Sequence, residues 1–232
     1  AAGPLFNLLL AVFIFFAIFL ISGIFILKPT VGEVKEGSPA YDAGLSKDDR
    51  IVAINDLPVE SWEDMAGIIA ESDGNSLEVA VKRGERRIIF HVKPERSTIQ
   101  NIFGEEVERY VIGISASGDI FSKHLNPFQA LKESVVQTYR ITEFTVVSIV
   151  KLIQGKISTK TVGGPIMIAE LAGKQAKEGA TNLVFFIALL SINLGVLNFL
   201  PIPVLDGGHL LFFFVELVVG RPINRRMREI AQ

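Results

Sequence analysis

Two long apolar runs frame this chain, with a stretch of short alternating patterns between them. Residues 5 to 27 are apolar except for Asn7 and Ser22. As a helix rising 1.5 Å per residue, that run is roughly 34 Å long, enough to cross a hydrocarbon core of about 30 Å. It predicts a membrane helix over residues 1–28 that ends at Lys28-Pro29. The run is too long for a signal peptide and has no basic leader. The second run, Leu183 to Leu200, predicts another membrane helix within residues 182–220.

Between the two runs the periodicity changes. Ser38-Pro39 reads as a cap and first helical position, with Gly44 stopping a very short helix. Ile51–Ile54 is a strand candidate that turns at Asn55-Asp56. Ser61 opens a helix with Asp64 three residues on, a capping-box spacing, and Trp62, Met65, Ile68 and Ile69 share one face. Leu77, Val79 and Val81 alternate, as do Ile88, Phe90 and Val92, so Arg83-Gly84-Glu85 reads as the turn of a hairpin. These features place an α+β module at residues 29–96. Residues 97–125 read as a strand-and-loop connector containing a strand at Tyr110–Ile114. Residues 126–181 read as an amphipathic, membrane-associated helical region. Its helix starts at Asn126-Pro127, is flanked or interrupted by Lys151 and Lys156, and is broken at Gly163-Gly164-Pro165. Residues 221–232 form a basic loop.

Composition narrows the function. Mean hydropathy is +0.41. The net charge of −2 argues against a nucleic-acid partner, and the absence of cysteine excludes disulfides and thiolate metal ligands. Arg221, Arg225, Arg226 and Arg228 follow the last apolar run and read as a cytoplasmic anchor. That orientation puts residues 28–182 on the opposite side of the membrane.

Candidate chemistry gathers at the end of the second run, in Asn198-Phe-Leu-Pro201-Ile-Pro203-Val-Leu-Asp206-Gly207-Gly208-His209. A carboxylate at membrane depth must be paired, hydrated or bound to a cation. Pro201 and Pro203 remove backbone donors, and a broken backbone persists in a bilayer only where it lines a cavity or is buried in protein. Asp206 is therefore a candidate metal ligand, with helix capping as its simpler reading. Asn198 is a polar residue at membrane depth, for which an interhelical hydrogen bond is the simpler reading. Asp206 with His209 alone gives too few ligands for a metal site, so a packed or supporting role suits His209 better. His91 and His124 read as surface residues.

The stretch Asn198-x-x-Pro201-x-Pro203-x-Leu205-Asp206-Gly207-Gly208 resembles the second metal motif of the site-2 protease family of intramembrane zinc metalloproteases. Gly3-Pro4 with Asn7, and Gly163-Gly164-Pro165, are similar to further segments of that family. Val31-Gly32-Glu33-Val34, Gly37-Ser38-Pro39-Ala40, Ala43-Gly44-Leu45 and Asp49-Arg50-Ile51 resemble a bacterial-type PDZ domain.

The resemblance implies an α-helical polytopic membrane protein with an inserted α+β PDZ domain, set in a bacterial inner membrane with the PDZ domain periplasmic. It implies a Zn2+ cofactor with Asp206 as third protein ligand and Asn198 holding substrate. Two histidines and a general-base glutamate would come from a His-Glu-x-x-His helix. The chain contains no such motif, so it is expected to continue upstream and to be inactive alone. Implied substrates are single-pass membrane proteins such as anti-sigma factors. These would be unwound beside Pro201 and Pro203 and docked or filtered at a groove between the Val31–Val34 strand, with Val31 and Gly32 as its binding residues, and the Trp62–Ile69 helix. The alternative function is a non-catalytic, membrane-anchored PDZ adaptor. A transporter is a weaker third reading, because no paired repeats are visible.

Overall fold

The computed structural model describes residues 2–157, 163–202 and 205–208. They fall into two compact units. One is α+β, Ile24–Lys123; the other is helical and comprises the described residues of 1–23 and 124–232. Pro203, His209 and the four arginines of the expected basic loop lie outside the described residues.

The helical unit holds α1 (Ala2–Ser22), α4 (Pro127–Ile153), α5 (Pro165–Glu178) and α6 (Ala180–Phe199), numbered in chain order across both units. The apolar run foreseen as one helix to residue 27 stops at Ser22. Gly23 takes a positive φ of 72°, and the β-branched and aromatic residues that follow become a strand. Among the described residues, α1 and α6 are the two helices long and apolar enough to cross a membrane.

Both are apolar all round, yet each buries only one stripe. On α6 the stripe is Ala188, Ser191, Ile192, Gly195 and Val196, at helical spacing. Its small members let α1 approach closely. A Cβ on Gly195 would lie 3.2 Å from the Pro4 carbonyl oxygen, and the Ser191 hydroxyl donates to the Asn7 carbonyl oxygen at 2.7 Å. Large apolar side chains point outward, among them Phe6 and Phe13 at 70% and 67% exposure. A contiguous apolar surface of this kind suits lipid.

Helix α4 begins at the expected place, with Asn126 and Gln129 in a reciprocal capping box. Its amphipathicity is inverted relative to a water-facing helix. Ala130, Ser134 and Thr138 face inward, while Phe128, Leu131, Val135 and Tyr139 are exposed. The inward hydroxyls satisfy themselves on carbonyls one turn back, Thr138 on Ser134 at 2.8 Å and Ser134 on Leu131 at 2.7 Å. The helix packs against α1 and α6, and Thr145 donates to Asn193 Oδ1 at 2.9 Å.

The α+β unit comprises β1 (Ile24–Leu27), β2 (Val31–Val34), α2 (Pro39–Ala43), β3 (Arg50–Ile54), β4 (Leu57–Pro58), α3 (Trp62–Ala70), β5 (Leu77–Arg83) and β6 (Arg86–Val92). It continues through β7 (Glu95–Gln100), β8 (Glu106–Val111), β9 (Ile114–Ala116) and β10 (Ile120–Lys123). Its largest sheet has the order β4-β3-β5-β6, and the foreseen hairpin pairs Val79 with Phe90 and Val81 with Ile88. The Ser38 cap with Pro39 behind it and the Ser61–Asp64 capping box both form. Met65 and Ile69 of α3 bury against Ile51, Val79, Val81 and Ile112.

The unit is larger than residues 29–96. The expected connector folds into it, because β10 pairs with β1, β9 pairs with β2, and β7 and β8 form their own ribbon. The single strand expected at Tyr110–Ile114 breaks at Gly113, whose φ is 80° and whose missing side chain leaves room for Ser38.

One ion pair inside this unit is unusually buried. The Asp49 side chain is fully buried and accepts both Nε and Nη2 of Arg83 at 2.7 Å, as well as the Ser46 N–H at 2.9 Å. Arg83 also donates to the Gly44 carbonyl oxygen at 2.8 Å and lies over the Phe90 ring. The Asp49 hydrogen bond holds the Arg83 pKa above its ordinary value, against a smaller lowering by burial.

Candidate functional site

Of the described residues singled out here, Asn198 lies on the last turn of α6, Pro201 just after it and Asp206 on the turn that follows. The helix must end before Pro201, because a residue preceding proline avoids helical backbone; Leu200 is extended, with φ −63° and ψ 144°. Ile202 N–H then bonds to the Leu200 carbonyl at 2.7 Å, Leu205 N–H to Ile202 at 2.9 Å, and Gly208 N–H to Leu205 at 3.0 Å. The backbone becomes helical again over 206–208. The proline thus enforces a break that local hydrogen bonds then close.

Asp206 sits half-buried on this reversal. Gly207 backs directly onto the end of α6, and a Cβ there would collide with the carbonyl oxygens of Leu200 and Phe199. On the other side stands α1: a Cβ on Gly3 would lie 2.8 Å from Asp206 Oδ2. Asn198 lies half-buried on the last turn of α6, and its side chain makes no hydrogen bond among the described residues. Pro201 and Ile202 are exposed. Replacing Gly207 by alanine pits a methyl group against backbone that cannot swing aside. We expect a loss of about 1–3 kcal/mol, typical of overpacking, seen as a lower thermal midpoint of the purified protein.

The structure does not leave the expected groove open at Val31 and Gly32. Val31 is fully buried. Its N–H donates to the Asp49 carbonyl and its own carbonyl accepts from Asp48 N–H, both at 2.8 Å. Its other side faces Ala116 of β9, and a Cβ on Gly32 would run into the Ala116 backbone. Strand addition needs unpaired backbone on an edge, and Val31 has none to offer. The cause lies in β9, which the expected boundary at residue 96 left out of the module.

Asp206 offers oxygen ligands of the kind zinc accepts, but only as one member of a set. Among the described residues, no three His, Asp or Glu side chains form a metal-binding group. Asp206 therefore fits zinc only as a single ligand of a larger set. Sequence reading marked Gly3 only as part of a family-like segment with Pro4 and Asn7, and passed over Gly195 and Ser191. Gly195 and Ser191 were legible as a small-x-x-x-small pattern on α6. The approach of Gly3 to Asp206 spans the whole chain and leaves no local signal.

The comparisons with known proteins bear on the whole chain. The model of Peptidase family M50 matches residues 1–232. A protein of Agrobacterium fabrum carrying a zinc-metalloprotease name is 35% identical over 100% of this chain and 62% of its own length. The regulator of sigma-W protease RasP of Bacillus subtilis is 34% identical over 97% of this chain and 51% of its own length. This chain thus spans between about half and three-fifths of these relatives. Among solved structures, the HtrA3 PDZ domain bound to a phage-derived ligand is 27% identical, with a TM-score of 0.27, covering 28% of this chain and 62% of that one. With the family model covering every residue, the chain belongs to Peptidase family M50, the site-2 proteases.

Proposed function

We propose that this chain contributes the carboxylate half of the active site of an intramembrane zinc metalloprotease. Its substrates would be membrane-anchored proteins of the anti-sigma-factor kind, cut within their transmembrane segments. The observation that carries the reading is Asp206. It is a half-buried carboxylate where an apolar helix breaks, held between Gly207 and Gly3 with no ion-pair partner among the described residues.

When bound, zinc would polarise the scissile carbonyl and activate the attacking water. Asp206 would hold it as one ligand, beside histidines from a segment not among the described residues. Asn198, eight residues before Asp206 and without a side-chain hydrogen bond among the described residues, would orient the substrate backbone. The break at Leu200–Ile202 gives an unwound substrate a non-helical stretch to lie beside, because transmembrane helices keep their own backbone donors engaged. Pro203 completes that proposal from the sequence. The α+β unit, read as a PDZ-type module, would lie on the periplasmic face of a bacterial inner membrane, where it docks or filters substrates already shortened by another protease. Any added peptide strand would have to use an edge other than Val31–Gly32. The helices α1 and α6 would span the bilayer, in keeping with their exposed apolar surfaces.

The test uses the full-length protein in detergent with a single-span reporter substrate. We expect stoichiometric zinc and cleavage. A chelator that strips the metal should stop cleavage, and added zinc should restore it. A folded protein with neither zinc nor cleavage would overturn the protease reading in favour of a membrane-anchored adaptor.

A further inference from the structure

We infer that Gly3 is a positioning residue whose missing side chain sets where the Asp206 carboxylate rests. The inference builds on the zinc reading of Asp206 and adds a residue to it. A Cβ at residue 3 would lie 2.8 Å from Asp206 Oδ2 and 4.0 Å from its Cγ, closer than a methyl carbon and an oxygen tolerate. Two attachments keep this approach from simply relaxing. The first turns of α1 are clamped to α6, with Gly195 close on the Pro4 carbonyl and the Ser191 hydroxyl bonded to Asn7. The reversal carrying Asp206 is braced on the end of the same helix by Gly207. Gly3 and Asp206 thus belong to one framework, and the element free to yield is the end of the aspartate side chain.

That asymmetry separates positioning from packing. Alanine at residue 3 displaces a side-chain oxygen and no backbone, so the fold tolerates it. Inside a helix, alanine is also the better residue. The displaced carboxylate, however, no longer meets the metal where its partner ligands hold it. Errors in ligand orientation of this kind typically weaken metal binding by about 10–100-fold. Stability and zinc affinity should therefore part company in Gly3→Ala.

The experiment measures zinc affinity, by competition with a chelator, and the thermal midpoint of the zinc-free protein. It uses full-length wild type, Gly3→Ala, Asp206→Ala and, as a control, Gly173→Ala on α5, where a Cβ meets nothing within 4 Å. We expect Gly3→Ala to weaken zinc binding about 10–100-fold with a midpoint equal to or above wild type, and Gly173→Ala to leave affinity unchanged. Affinity within about twofold of wild type would overturn the inference. So would a parallel fall in affinity and midpoint, the signature of lost packing. A wild type without zinc, or Asp206→Ala with unchanged zinc, would remove the underlying zinc reading as well, and would show this without reference to Gly3.

Discussion

Full-length Asp206→Ala should lose zinc and, with it, cleavage by at least about 10^3-fold, equivalent to roughly 4 kcal/mol of transition-state stabilisation. A catalytic zinc held by three protein ligands has none to spare, since its remaining position serves water and substrate. On the proposed zinc reading, removing the carboxylate also takes away a negative charge opposite the cation. The substitution should do little to the fold, because Asp206 is half-buried and makes no ion pair among the described residues. Metal analysis and reporter cleavage on protein with an unchanged thermal midpoint make the comparison. Unchanged zinc and cleavage would reduce Asp206 to a structural role and remove the basis of the site.

The second large effect concerns the α+β unit. Arg83→Ala leaves the Asp49 carboxylate fully buried with the Ser46 N–H as its remaining hydrogen-bond donor. Breaking a buried pair from one side typically costs about 3–5 kcal/mol; the 40% exposure of Arg83 lets water reach the gap, so we expect about 3. Asp49→Ala should cost less than Arg83→Ala, because the freed guanidinium can turn to solvent.

Trp62 is the sole tryptophan of the chain and packs against this core, so its fluorescence during urea denaturation reports the unit directly. A loss of that size should lower the midpoint by roughly 2 M. The sign of the pH dependence follows from the raised Arg83 pKa. Its stabilisation is fully present below the ordinary arginine value and is lost only as pH climbs through the raised one, so the arginine contributes no slope near neutrality. Equal stabilities for wild type and Arg83→Ala would show the pair to be dispensable.

What the sequence revealed was what local rules govern. Caps at Ser38, Ser61 and Asn126, the hairpin between β5 and β6, and the apolar character of α1 and α6 each depend on a few neighbouring residues. The motif around Asp206 was legible for the same reason, since broken helix and carboxylate lie within nine residues of Asn198. Contacts closed over long separations were not. Ile24 pairs with Lys123 and Val31 with Ala116, so the module reaches well past the boundaries that composition drew at 29 and 96. The groove was misplaced because the strand covering Val31 comes from a segment whose own pattern looked like a linker. The membrane-associated helix expected from Asn126 does form, and its outward apolar side is carried by Phe128, Leu131, Val135 and Tyr139.

The pairing of β1 with β10 has a topological consequence for the helices. The chain leaves α1 at Ser22 and returns to α4 at Pro127, yet the incoming and outgoing strands run side by side, about 5 Å apart as in any antiparallel ladder. Once residues 24–123 have folded, they close the path from α1 to α4 as a short turn would. The entropy of joining two helices so distant in sequence is then that of a small loop. Domains hung in this way can be lengthened, exchanged or lost between relatives while the helices on either side keep their register.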